Sequence, residues 1–222
     1  MSELITPDEL PRWVPGDETL DSTPLGWDGV RLRGFRYGPS DVWVPALNTY
    51  TIVSYQDGAT PMNRRFTGAW RSEQVAPGSV SLLTQATQSH WRWTESIEVT
   101  HVYLAGSAVA DVAAEVYGRV IRGIELLDVL RADDPALSAI AGCLAREARE
   151  GGLGGRLYVD ALKIQACVHM LRRYANVTFR EPASGGGLSP TLWVRMWRGE
   201  HLTAALDDEL LGGIDVAYGN KG

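Results

Sequence analysis

The chain has 222 residues, 45% of them hydrophobic, and a formal net charge of −6. That much apolar material excludes a disordered protein, and the acidic balance argues against a general nucleic-acid binder. No apolar run approaches the roughly 18 residues that span a bilayer, and the first residues, MSELITPDELPRW, lack a basic-then-apolar leader, so a cytoplasmic protein without membrane contact is expected.

Residues 1–25 carry Pro7, Pro11, Pro15 and Pro24 among acidic residues, and they read as an arm on the surface. From Trp27 the texture changes to short strands separated by turn residues. The strand candidates are 30–37, 42–44, 49–55, 62–66, 70–75, 79–83, 90–94 and 97–104, with turns at Gly38-Pro39, Asp57-Gly58, Gly68 and Pro77-Gly78. Several strands alternate, as Trp91/Trp93 do against His90/Arg92. Short strands at this spacing suggest a sandwich or a small barrel.

At Gly106 the apolar period switches to that of a helix. Ser107 can cap a helix with Val109, Val112, Ala113 and Val116 on one face, ended by Gly118. Residues 120–129 fit either a strand or an extended connector. Asp134 can cap the next helix, with Pro135 in its first turn and Leu137, Ile140, Ala141, Leu144 and Ala148 on one face, before Gly151-Gly152 stops it. A third helix has Leu157, Ala161, Ile164, Val168, Leu171 and Ala175 at helical spacing and ends at Asn176. A glycine-rich turn makes the last two helices a hairpin. Its seam either packs into the core of the chain or continues into a second subunit. In the second case Leu157, Ala161, Ile164, Val168 and Leu171 form the contact of a homodimer. Residues 177–180 fit a short strand, EPASGGG (181–187) a linker, and Ser189-Pro190 the start of one more helix.

Residues that could carry chemistry are sparse. The β region offers His90 and His101 with Glu95 and Glu98, and no His-x-His pair occurs, so no metal and no other cofactor is expected. There is no Gly-x-Ser-x-Gly elbow, and the two cysteines, Cys143 and Cys167, read as buried thiols in a reducing compartment rather than as nucleophiles. An enzyme is not expected. The aromatic content points elsewhere: Trp43, Tyr50, Tyr55, Trp70, Trp91, Trp93 and Tyr103 all fall in predicted strands. Such side chains either fill a core or line an apolar cavity that orients a small organic ligand. Tyr50, Tyr55, Trp70, His90, Trp91 and Trp93 are the candidate ligand-binding residues. Arg64 and Arg65 are neighbours on one strand and point to opposite faces, so at most one could meet an acidic ligand, and both read as solvated.

The order of the pieces resembles the arabinose-regulator (AraC/XylS) family of bacterial transcription factors. MNRRFTGAWRS (62–72) and APGSVSLLTQATQSHWRW (76–93) look like the double hairpin of its cupin-type sensor barrel. HVYLAGSAVADVAAEVYG (101–118) looks like the exit strand and first helix, and 134–176 like the hairpin that commonly mediates dimerisation. GGLSP (186–190) and GEHL (199–202) resemble the linker end and first helix of the DNA-binding domain.

The resemblance implies an α+β chain: an arm over 1–25, a cupin-like small β-barrel sensor over 26–105, a helical dimerisation region over 106–180, and a linker with a remnant of the first DNA-binding helix over 181–222. It implies an effector of unknown identity, and a chain truncated before its helix-turn-helix domain that could pair with a full-length relative. Where metal-binding cupins place their first histidine pair this sequence has Asn48 and Tyr50, with only His90 near the last position, so a cupin enzyme is the weaker reading. A stand-alone cupin-fold small-molecule binding protein is the nearer alternative. After Leu188 only Arg195, Arg198 and Lys221 face Glu200, Asp207, Asp208, Glu209 and Asp215, so DNA binding by this chain alone is not expected.

Overall fold

The computed structural model describes residues 4–66, 68–83, 88–119, 121–127, 129–152 and 155–179. The linker and the helix expected from Ser189 lie outside the described residues. In chain order the strands are β1 (Asp17–Asp21), β2 (Val30–Tyr37), β3 (Ser40–Val44), β4 (Thr49–Asp57), β5 (Thr60–Arg65), β6 (Arg71–Val75), β7 (Ser79–Leu83), β8 (Ser89–Trp93) and β9 (Ile97–Ala105). Helix α1 (Gly106–Tyr117), β10 (Ile121–Leu126), β11 (Val129–Asp133), α2 (Pro135–Glu150), α3 (Gly155–Arg173) and β12 (Ala175–Phe179) follow. All eight strands expected between residues 30 and 104 are present, with ends shifted by one or two residues.

The strands form a six-stranded sheet in the order β1-β2-β9-β4-β7-β11, a four-stranded sheet in the order β3-β8-β5-β6, and the pair β10-β12. Every pairing between these strands is antiparallel. The six-stranded sheet is buried on both faces, which explains the nearly continuous burial along β2, β4 and β9. One set of alternate residues, including Leu32, Ile52, Leu82, Val102 and Leu104, packs under the helices. The other set, including Phe35, Tyr37, Val53, Tyr55 and Val99, faces Val44, Met62, Val75, Trp91 and Trp93 of the four-stranded sheet.

The arm differs from expectation. Ile5, Leu10 and Val14 are buried in the core between the sheets, and β1 extends the six-stranded sheet. The Ile5 amide donates to Ala46 O at 2.8 Å, and the Asn48 amide donates to Ile5 O at 3.0 Å. Arg31 holds Asp8 through two hydrogen bonds of 2.8 and 2.6 Å, and Arg33 donates to Pro7 O at 2.8 Å. Prolines obscured this in the sequence: they break the period of the arm, yet three single apolar side chains suffice to anchor it.

Helix α1 ends at Gly118, whose φ of 60° suits the left-handed position that closes a helix. Its start is capped by no side chain, so Ser107 does not play the expected part. Asp134 does: its carboxylate accepts from the amides of Ala136 and Leu137 at 3.1 Å each. Leu137, Ile140, Ala141, Leu144 and Ala145 are the buried residues of α2. The start of α2 meets the end of α3, where His169 reaches Asp134 at 2.7 Å. Glu147, near the end of α2, lies beside Gly155 at the start of α3. The two helices are therefore antiparallel.

Helix α3 turns a different face inward from the one its sequence suggested. Val159, Leu162, Ala166, Cys167, Met170 and Leu171 are buried, whereas Leu157 is 77% and Ile164 48% exposed. Ala161 is exposed and Val168 half-buried. Of the five expected contact residues only Leu171, 2% exposed, lies in the core. Two apolar stripes overlap on this helix, both at spacings of three and four, and periodicity does not say which one meets the rest of the chain. The thiols also divide, Cys167 buried and Cys143 half-buried.

Candidate functional site

A cavity lies between the two sheets, with about 70 Å³ open to the centre of a water molecule. A single water needs roughly 10–15 Å³ by this measure, so there is room for a small organic molecule. Its floor is the six-stranded sheet, through Tyr37, Thr51, Val53, Tyr55, Val99 and His101. Its roof is the four-stranded sheet, through Val42, Val44, Met62, Trp91 and Trp93, and Leu10 and Val14 of the arm close one side.

Strand register sets this lining. Val53 pairs with His101, Tyr55 with Val99 and Thr51 with Tyr103, so each row of the sheet sends neighbouring side chains to one face. On the roof, Trp91 and Trp93 alternate with His90 and Arg92. Both indoles are already satisfied: Trp91 donates to Ser89 Oγ at 2.8 Å and Trp93 to Gly38 O at 2.7 Å. They therefore present hydrocarbon to the cavity. The Tyr55 hydroxyl is engaged with Ser81 Oγ at 3.1 Å, and burial pushes its pKa up to about 12.

Two lining groups are not satisfied. Tyr37 OH and Thr51 Oγ1 are buried without a hydrogen-bond partner, in residues 4% and 2% exposed. Burial, opposed slightly by Arg33, raises the Tyr37 pKa and keeps that hydroxyl protonated. His101 Nδ1 lies 2.9 Å from Tyr103 OH. Burial, helped by the nearby Arg33 guanidinium, pushes its pKa down from 6.5 to about 3, so the imidazole is neutral at physiological pH.

A pH dependence follows from His101. Between pH 6.5 and 3 the unfolded chain takes up a proton that the folded chain refuses, so stability falls as pH drops below 6.5. The slope attributable to this group is at most about 1.4 kcal/mol per pH unit. Urea denaturation at pH 7.5, 6 and 5 should show the loss, and His101→Gln should flatten it. An unchanged slope in the variant would place the acid sensitivity elsewhere.

The solved structures that this chain resembles include a transcriptional activator. It overlaps the AraC-like transcriptional activator CuxR with a TM-score of 0.48 at 7% identity, over 78% of this chain and 62% of that one. It overlaps ToxT from Vibrio cholerae with a TM-score of 0.45 at 12% identity, over 71% of this chain and 61% of that one. The Clostridium difficile EutQ protein gives 0.30 at 12% identity, over 34% and 56%. This chain thus spans less than two thirds of the length of each of these proteins. No family model and no curated protein matches it.

Of the six expected ligand-binding residues, Tyr55, Trp91 and Trp93 line the cavity and Tyr50, Trp70 and His90 do not. Tyr50 is an odd number of residues from Tyr55 on β4 and so faces the helices, where its hydroxyl donates to Ile124 O at 2.8 Å. His90 sits on the outer face of β8 between Trp43 and Trp70, with ring centroids 4.4 and 4.8 Å away, and pairs with Asp41. Arg65 lies over both of those indoles, at 5.5 and 4.9 Å from their centroids.

Arg64, expected in solvent, is 1% exposed and lies over the rings of Phe66 and Trp91 at 4.9 and 4.7 Å. Tyr37, Thr51 and His101 were not singled out as lining. The alternation of β4 and β9 could have placed Thr51 and His101 on the Tyr55 face, whereas Leu10 and Val14 left no periodic trace. Among the described residues no group of three His, Cys, Asp or Glu could hold a metal ion, and no helix is long and apolar enough to cross a membrane.

Proposed function

We propose that this chain is the effector-sensing and dimerisation part of an AraC/XylS-like transcriptional regulator. The observation that carries the reading is a cavity on one face of a sheet whose other face supports the helices. The same strands serve both layers: on β4, Val53 and Tyr55 border the cavity while Tyr50 and Ile52 lie under the helices. A ligand that shifts those strands therefore acts directly on the helical layer. The outward stripe of Leu157, Ala161, Ile164 and Val168 offers an apolar surface where a second copy of the chain can bind. The order of sequence motifs supports the choice of family.

The role is binding rather than catalysis, without a resident cofactor. The excess of carboxylates over cations after Leu188 supports a division of labour in which residues 189–222 do not contact DNA and another part of the assembled regulator does. A stand-alone binding protein is the second reading, favoured by the completeness of the cavity within residues 4–179.

One experiment addresses both. The purified chain is screened for a small molecule that raises its melting temperature, because a ligand that binds only the folded state stabilises it by mass action. Its mass in solution and its co-purification with a tagged regulator of the family are then measured with and without that molecule. A ligand-dependent change in assembly supports the regulator reading. Binding without any effect on assembly favours the stand-alone protein. A specific gel shift of promoter DNA by this chain alone would sink the division of labour.

A further inference from the structure

The cavity also specifies the chemistry of what enters it, an inference that rests on the sensor reading above. Among the described residues its walls carry no carboxylate, lysine or arginine, and its one imidazole, His101, is neutral. A carboxylate or phosphate would shed its hydration there and meet no cation on the lining itself, and the buried guanidiniums close by are engaged, Arg33 by Glu18 and Pro7 O and Arg64 over Phe66 and Trp91. A sugar would bring five or more hydroxyls to a wall made mostly of valine, leucine, methionine and tryptophan side chains, and most would go unpaired.

Yet the cavity is not indifferent to polarity. Tyr37 OH and Thr51 Oγ1 are both more than nine-tenths buried and have no partner among the described residues. Both belong to the floor, on β2 and β4, and an unsatisfied hydroxyl in such a place is unfavourable until something hydrogen-bonds to it. Tyr55 and both indoles are already engaged, which leaves these two hydroxyls as free anchors for a ligand.

We infer that the site takes a compact, uncharged, mainly hydrocarbon molecule carrying a hydroxyl or carbonyl group, which meets the hydroxyl of Tyr37 or of Thr51 while the rest lies against the indoles of Trp91 and Trp93. A monocyclic phenol is the simplest member of that class. At the Tyr37 position the phenol donates to the ligand oxygen, and at the Thr51 position the hydroxyl donates or accepts according to whether the ligand brings a carbonyl or a hydroxyl. The two anchors select for the polar atom, and the walls select against charge and against further polar atoms.

The test uses four probes of similar size: p-cresol, toluene, benzoate and glucose. Each is titrated into the full chain and followed by tryptophan fluorescence and by calorimetry. p-Cresol should bind about tenfold more tightly than toluene, the ratio expected for one added hydrogen bond in a buried site. Benzoate and glucose should not bind measurably. The double variant Tyr37→Phe, Thr51→Val should bind p-cresol no better than toluene.

Without ligand that variant should melt no lower than the parent, because it removes two hydroxyls that have no partners to lose. A lowered melting temperature would make the hydroxyls structural and overturn the assignment. Tighter binding of benzoate or glucose overturns the ligand class but leaves the sensor reading standing. Equal binding of p-cresol and toluene removes the anchors from recognition. Binding of none of the four up to the solubility limit overturns the ligand class, and the ligand screen described above then decides the sensor reading by itself.

Discussion

Leu171→Glu yields no stable folded chain, whereas Leu157→Glu yields a folded monomer. Leu171 is 2% exposed among the residues that join α3 to the sheet, and a carboxylate there would be buried in an apolar cluster. An unpaired buried charge costs several kcal/mol, on the order of half the stability of an ordinary domain. Leu157 is 77% exposed in the first turn of α3, so a charge there costs the isolated chain within about 0.5 kcal/mol.

Light scattering coupled to size exclusion, with circular dichroism on the same samples, separates the two effects. The parent is expected as a dimer, Leu157→Glu and Ile164→Glu as folded monomers, and Leu171→Glu as unfolded or aggregated. A dimer that survives both outward substitutions would move the interface to another surface.

The second large effect centres on Asp134, which joins the start of α2 to the end of α3. Its carboxylate caps α2 through two amides and accepts from His169 Nε2 and from Tyr174 OH, each at 2.7 Å. Asp134→Ala removes a cap worth about 1 kcal/mol and leaves two further donors short of an acceptor, for a total of about 3 kcal/mol. In a domain of this size that lowers the melting temperature by about 10 °C.

The acid limb tests the same contact. Burial alone would raise the Asp134 pKa, but the hydrogen bonds from Tyr174, His169 and the Leu137 amide outweigh it and hold the group below its usual 3.8. Its contribution is present above that value and is lost as pH falls through the lower, folded one. Asp134→Asn should therefore flatten the stability profile below pH about 4 while leaving the His101 limb nearer neutrality in place. If the variant keeps the parental profile there, other carboxylates govern the acid transition.

Much of this architecture was legible from residue order. The turn residues divided 30–104 into its eight strands, because glycine, proline and aspartate act on the local backbone wherever the chain happens to fold. Gly118, Asp134 and Gly151 marked helix ends for the same reason, each satisfying or terminating hydrogen bonds within a few residues of itself. The strands β1 and β11 were not legible, since they bury little and are defined by the neighbours they pair with, β2 and β7.

The site was legible by half. Tryptophan and tyrosine announced an aromatic interior, and the alternation of Trp91 and Trp93 with His90 and Arg92 already implied that His90 faces away from them. Composition could not choose between the two faces of β4, where Tyr50 and Tyr55 part company, because both faces of that strand are buried. Sequence by itself determined the strands, the helix caps and an apolar, aromatic-rich chain, all of which follow from interactions spanning a few residues. Only the tertiary structure decided which stripe of α3 turns inward, that the arm seals the core, and that Tyr37 and Thr51 lack partners. Each of those depends on a neighbour far along the chain, and local periodicity carries no record of it.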